Sequence, residues 1–185
     1  MIAINPENSF LNIDELALLN FKSIGHNVKV SRFARFYGSN HISLGSNVRI
    51  DDFCVISTSC KSSIANNVHI SPACLITSQE GFEIGDNVTI SSGVRIYGQS
   101  DDFKNSKITN PTGDQSFRNV FYKRMIIPDF TAIGTGSTIL PKAKLSVGVA
   151  IGAMSLLNSV TMPWGIYYGS PAKLQGFRAV EQELE

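Results

Sequence analysis

The sequence has no charge of one sign to spare. Lys plus Arg number 16 and Asp plus Glu 15 in 185 residues, a formal net charge of +1. Duplex nucleic acid demands a clustered basic footprint and an anionic bilayer a polybasic segment, so neither partner class is expected. Long apolar runs are missing too. Nothing approaches the roughly 18 apolar residues of a membrane helix, so no membrane insertion is expected. The opening MIAINPENSF has neither the basic nor the apolar region of a secretory signal. Cysteine is scarce, three in all with no Cys-x-x-Cys, which argues against a disulfide framework and fits a reducing cytoplasm. Hydrophobic residues still make up 43%, enough to exclude disorder, and the length suits one domain.

What is present is a repeat. Ile24-Gly-His-Asn-Val28, Leu44-Gly-Ser-Asn-Val48, Ile64-Ala-Asn-Asn-Val68 and Ile84-Gly-Asp-Asn-Val88 recur every 20 residues. A finer period of six runs inside each unit, as in Leu44, Ile50, Ile56 and Ile64, Ile70, Ile76. It resumes later as Ile127, Ile133, Ile139, Leu145, Ile151 and Leu157. Small or β-branched residues follow each aliphatic by four, among them Val48, Cys54, Cys60, Val68 and Cys74. A period of six fits neither a 3.6-residue helix nor a simple alternating strand. It fits a short strand and a corner repeated three times per turn, an all-β parallel β-helix with a thin triangular core. All three cysteines then read as small interior hydrophobes. Gly and Asn mark corners, where left-handed backbone angles are tolerated.

The pattern divides the chain into an N-terminal cap (1–23), a β-helix (24–162) and a C-terminal cap or tail (163–185). Asn12-Ile-Asp-Glu15 predicts a capping box opening a short helix over 13–19, with Leu11 and Leu16 as its hydrophobic staple. Such a cap covers the open edge of the first coil. A tail with weak helical character, Phe177 to Glu185, is expected across the other end. Residues 97–126 interrupt the repeat, and a structureless stretch of that length usually carries function. About six turns at roughly 4.8 Å per strand spacing make a rod about 29 Å long. A rod so slender has no deep cleft of its own.

The repeat, the single mid-chain excursion and the closing Tyr168-Gly-Ser-Pro-Ala-Lys173 together resemble the hexapeptide-repeat acyltransferases. Asn67-Val-His-Ile-Ser71, Ser100-Asp-Asp-Phe103 and Thr109-Asn-Pro-Thr112 are similar to the galactoside and maltose O-acetyltransferase-like enzymes of bacterial surface polysaccharide pathways. The resemblance spans residues 20 to 175 and implies a left-handed β-helix. It further implies a homotrimer with sites at subunit interfaces, acetyl-CoA as co-substrate and a sugar or glycan acceptor. By residue-wise match it nominates Thr135, Gly136, Gly152, Ala153 and Asn158 for the pantetheine arm. Trp164, Ser170, Pro171, Ala172, Lys173 and Arg178 fall to the nucleotide end.

Acetyl transfer to a hydroxyl needs a base near neutrality and a donor for the developing oxyanion. Only His26, His41 and His69 are available. His69 stands in a column with Lys29, Arg49 and Thr89 and points outward, one coil before the excursion. It is the expected catalytic base, with Asp101 as the second catalytic residue, and Asp102, Asp52 and Asn110 holding the acceptor. Asp51 could reach the same groove. The galactoside branch carries its histidine on the excursion, near Gln99, Ser100 and Asp101, and this chain has no histidine after residue 69. The main expectation is a cytoplasmic, acetyl-CoA-dependent sugar O-acetyltransferase without a metal. N-acetylation of a nucleotide-linked amino sugar is the alternative, because an amine needs less help from a base. A non-catalytic β-helix scaffold is the second alternative. A γ-class carbonic anhydrase shares the fold but needs stacked histidines, and His26, His41 and His69 miss the repeat.

Overall fold

The structure, a computed structural model, describes residues 9–179. The chain winds into a left-handed parallel β-helix of about seven turns, one more than the repeat count suggested. Three parallel sheets form the faces of a triangular prism. The first face stacks Ser23–Ile24, Ile42–Leu44, Ser62–Ile64, Phe82–Ile84 and Met125–Ile127. The second stacks Lys29–Val30, Arg49–Ile50, His69–Ile70, Thr89–Ile90, Ala132–Ile133, Ala150–Ile151 and Gly165–Gly169. The third stacks Arg35–Tyr37, Val55–Thr58, Leu75–Ser78, Arg95–Tyr97, Thr138–Ile139 and Leu156–Leu157.

The interior is one side chain deep. Ile50, Ile56, Ile70, Ile76, Ile90 and Ile96 are fully buried. Identical aliphatics stack in register, as Ile50 over Ile70 and Ile70 over Ile90. At the first corner Asn27, Asn47, Asn67 and Asn87 take the left-handed conformation, and the side-chain amides of the first three each donate to the next Oδ1 at 3.0–3.1 Å. The glycines of these Gly-x-Asn elements do not share that conformation, contrary to the corner reading above. Gly45 is there for close approach: a Cβ on it would lie 2.7 Å from the Ala65 carbonyl carbon.

Early coils take 20 residues per turn, with Arg49 opposite His69, and later ones 18, with Ala132 opposite Ala150. The two extra residues sit at the third corner and overturn the reading of Cys60. Thr58 and Ser62 turn inward there, their hydroxyl oxygens 3.0 Å apart and each 2.9 Å from the Cys60 carbonyl oxygen. The Cys60 side chain is thereby put outside, while Cys54 and Cys74 are buried as expected.

Helix Ile13–Leu18 opens with the capping box: Asn12 Oδ1 accepts from Glu15 N–H, and Glu15 accepts from Asn12 N–H, each at 2.9 Å. Leu16 is buried and Leu11 packs on the core beside it. At the far end the chain doubles back. Gly165–Gly169 and Ala172–Phe177 pair antiparallel through a turn with a cis Ser170–Pro171 bond. The strand ends at Phe177, where the helical tail was expected to begin, and residues 180–185 of that expected tail lie outside the described residues.

Candidate active site

Side chains that alternate outward along the second face form a column Lys29, Arg49, His69, Thr89, Ala132 and Ala150. A cationic stretch in the early coils thus gives way to small residues in the late ones. Each strand of this face runs into the second corner, and the first corner residues make a parallel column: Ser31, Asp51, Ser71, Ser91, Gly134 and Gly152. Among them only Asp51 is ionisable, and it is the only buried carboxylate among the described residues.

Asp51 is spent on two partners. Arg49 Nε donates to Oδ1 at 2.7 Å, and His69 Nε2 lies 2.7 Å from Oδ2. Its side chain is 9% exposed against 43% for His69. Burial pushes the Asp51 carboxyl up, but hydrogen bonds from His69 and Arg49, with the Arg49 charge, outweigh it. The net result is a carboxyl held below the ordinary aspartate range. Arg49 is steadied from outside by Phe10, whose ring centroid is 5.3 Å from the guanidinium carbon.

The expectation that His69 meets Asp101 or Asp102 within one chain is not met. The excursion leaves after Arg95–Tyr97 on the third face, so it departs from the third corner while His69 lies on the second face. It is an ordered hairpin, with Gln99–Asp101 antiparallel to Val120–Tyr122. Its root is tied down by Gln99 Nε2 to Thr77 Oγ1 at 2.9 Å and by Lys123 Nζ to the Ala143 carbonyl at 2.6 Å. Burial, with Lys144 nearby, pulls the Lys123 ammonium pKa down. Asp101 Oδ1 accepts from Arg118 Nε at 3.0 Å and Nη2 at 2.7 Å, and among the described residues its Oδ2 has no partner. Asp102 is used inside the hairpin: the Asn105 side chain and the Lys104 N–H hold its carboxyl below the usual range, with the Asn105 N–H and the Asn119 side chain as further donors. Asn110 Oδ1 closes its own turn, accepting from Thr112 N–H and Oγ1. Asp52 is taken by Ser31 Oγ.

The C-terminal candidates separate onto three edges. Thr135 and Gly136, then Gly152 and Ala153, stack at the second corner, where Met154 N–H donates to the Thr135 carbonyl at 2.8 Å. The hairpin carrying Ser170, Pro171, Ala172 and Lys173 extends this same edge: Tyr168 stacks on Gly152, and Lys173 is exposed opposite Tyr168. Asn158 is exposed at the third corner. Trp164 sits at the first corner in the left-handed conformation, its ring against Phe130 at 5.8 Å. Arg178 packs over Trp164 and donates to the Phe130 and Gly148 carbonyls at 2.7 and 2.8 Å, which gives its guanidinium a strapping role there. No group of three or more His, Cys, Asp or Glu able to hold a metal occurs among the described residues. The sequence reading put Arg49 in the His69 column and Asp51 in the same groove, but missed that Asp51 bonds both His69 and Arg49. The signal was available, since the 20-residue register puts Arg49 directly beneath His69 and Asp51 on its diagonal.

An Escherichia coli dTDP-4-amino-4,6-dideoxy-D-glucose acyltransferase is 37% identical over 164 residues, 87% of this chain and 85% of its own. AntD, an N-acyltransferase from Bacillus cereus, in complex with dTDP and 3-hydroxybutyryl-CoA, superposes with a TM-score of 0.88 at 36% identity, over 93% of this chain and 91% of that one. The chain belongs to the hexapeptide-repeat acyltransferase family. A variant of AntD bound to dTDP-4-amino-4,6-dideoxyglucose and coenzyme A gives the same TM-score, 0.88, at 35% identity, over 94% of this chain and 92% of that one. Likeness to a hexapeptide-repeat acetyltransferase from Vibrio cholerae complexed with acetyl coenzyme A is one of fold alone, with a TM-score of 0.61 at 18% identity over 90% of this chain and 78% of that one. No family model matches the chain. For a hexapeptide-repeat acyltransferase, the second face and second corner offer one continuous strip. It runs from the Arg49–Asp51–His69 cluster to the small residues of the last coils.

Proposed function

We propose that this protein transfers an acyl group from a coenzyme A thioester to the amino group of a dTDP-linked 4-amino-4,6-dideoxyhexose. The observation that carries the reading is similarity over nearly the whole chain to acyltransferases whose names specify that acceptor and an amine as nucleophile. It favours the alternative weighed from the sequence over sugar O-acetylation. The chemistry agrees. An unprotonated amine attacks a thioester with far less assistance than a hydroxyl, so the absence of a histidine on the excursion is no handicap.

The small residues at Gly134, Gly152, Ala132 and Ala150 suit a pantetheine arm lying against the backbone, with acetyl-CoA as the donor. The cationic early coils suit the diphosphate of the acceptor. His69 is the group that takes the proton lost by the nitrogen, and Asp101 offers its free Oδ2 to the amine. His69 and Asp101 project from different sides of the prism. A homotrimer that lays one chain's hairpin over its neighbour's second face brings them together, so the site is one of subunit contact. A coenzyme A thioester and a nucleotide sugar are cytoplasmic metabolites, which sets the reaction there. Its product suits surface polysaccharide assembly.

Thiol release from acetyl-CoA tests the reading, with dTDP-4-amino-4,6-dideoxyglucose set against maltose and a galactoside. Turnover with the amino sugar and none with the hydroxyl sugars is expected. Turnover with hydroxyl sugars alone would overturn it.

A further inference from the structure

Asp51 breaks the rule of its own column. Ser31, Ser71, Ser91, Gly134 and Gly152 fill the equivalent places in other coils with small residues, and Asp51 alone puts a carboxylate there, almost out of water. Arg49 by itself would satisfy one carboxylate oxygen. The second oxygen is turned to His69 Nε2, so the geometry requires the imidazole to donate from that nitrogen to a carboxylate that stays ionised. The remaining ring nitrogen, Nδ1, is then an acceptor on the exposed side. Among the described residues Asp51 is the one charged group bonded to the His69 ring, and its column neighbours are Arg49 below and Thr89 above.

We infer that Asp51, braced by Arg49, is the positioning residue that fixes the His69 tautomer and ring orientation for proton transfer during amide formation. The inference rests on the acyl-transfer reading above. In the step it serves, the sugar nitrogen attacks the thioester carbonyl carbon and the C–N bond forms. The nitrogen's proton passes to His69 Nδ1. The tetrahedral intermediate then expels the coenzyme A sulfur, the C–S bond breaks, and the thiolate takes that proton back from His69. No oxidant or further reactant is needed. Asp51 remains ionised throughout and stabilises the transient imidazolium.

Two measurements on the full-length protein test this. The first is the ring ¹⁵N spectrum, in which three histidines are resolved and His69 is assigned with His69→Gln. Wild type should show His69 as the Nε2–H tautomer, and Asp51→Asn should lose that preference. The second is kinetics with acetyl-CoA and dTDP-4-amino-4,6-dideoxyglucose. Asp51→Asn should lower kcat about 10²-fold with the acetyl-CoA KM unchanged, and Asp51→Glu should recover part of it. If Asp51→Asn does not fold, Arg49→Gln replaces it, with a smaller loss of kcat expected. An Nδ1–H tautomer in wild type, or an unchanged kcat in a folded Asp51→Asn, overturns the inference. Failure of the wild type to use the amino sugar overturns the acyl-acceptor reading instead, and the ¹⁵N tautomer then still decides the role of Asp51.

Discussion

Replacing Ile70 by alanine tests the central physical claim about this fold, that its core has no depth from which to refill a hole. Ile70 is fully buried, with Ile50 directly below and Ile90 directly above in the parallel ladder. At about 0.8 kcal/mol for each buried carbon removed, the transfer loss is about 2.4 kcal/mol. The neighbours that might collapse are held by main-chain hydrogen bonds on both sides: Asp51 N–H to the Ile70 carbonyl at 2.9 Å, and Ser71 N–H to the Ile90 carbonyl at 2.9 Å. A residual cavity of about 60 Å³ would add about 1.5 kcal/mol at ~24 cal/mol per Å³. The expected loss is therefore near the upper part of the range for such substitutions, about 4 kcal/mol. Urea unfolding followed by far-ultraviolet circular dichroism reads it, at one protein concentration so that any assembly contributes equally. Thr89→Ala, on the exposed side of the neighbouring strand, is the control and should shift stability by less than about 0.5 kcal/mol. An Ile70→Ala loss below about 1 kcal/mol would refute the reasoning, because it would mean that the prism walls close around the gap.

Two further expectations concern single side chains. A maleimide should modify one thiol per folded chain, Cys60. Cys54 and Cys74 should react only after unfolding, since both side chains are buried inside the prism, and contact with Cys74 and burial also hold the Cys54 thiol well above its ordinary range; three fast thiols would contradict that burial. The Asp51 carboxyl has a folded-state pKa below that of the unfolded chain. Its contribution to stability is therefore complete above the unfolded value of about 3.9 and is lost as pH falls through the folded value. The stability advantage of wild type over Asp51→Asn should accordingly be larger at pH 7 than at pH 2.5, and an advantage that grows on acidification would reverse the sign argued here.

The sequence by itself determined the parts that repeat. An aliphatic every six residues can be buried on one side only if the chain turns through a third of a circle at each step, and that alone imposes a three-faced prism with Ile50, Ile70 and Ile90 in line. The capping box at Asn12 and Glu15 was equally legible, because every contact in it spans three residues. Tertiary structure decided what depends on how coils meet. Cys60 shares the spacing of Cys54, yet a corner two residues longer turns Thr58 and Ser62 inward in its place. The closing Tyr168-Gly-Ser-Pro-Ala-Lys173 carries no strand signal of its own, yet Ala172–Phe177 pairs as a strand because Gly165–Gly169 offers it an open edge. The partner of His69 was the most consequential of these. The order of the coils pointed to Asp101 and Asp102 on the excursion, which leaves one coil after His69, but that hairpin departs from another corner. Asp51, one coil below on the diagonal, holds the imidazole, because a strand spacing of about 4.8 Å brings side chains 18 residues apart into contact.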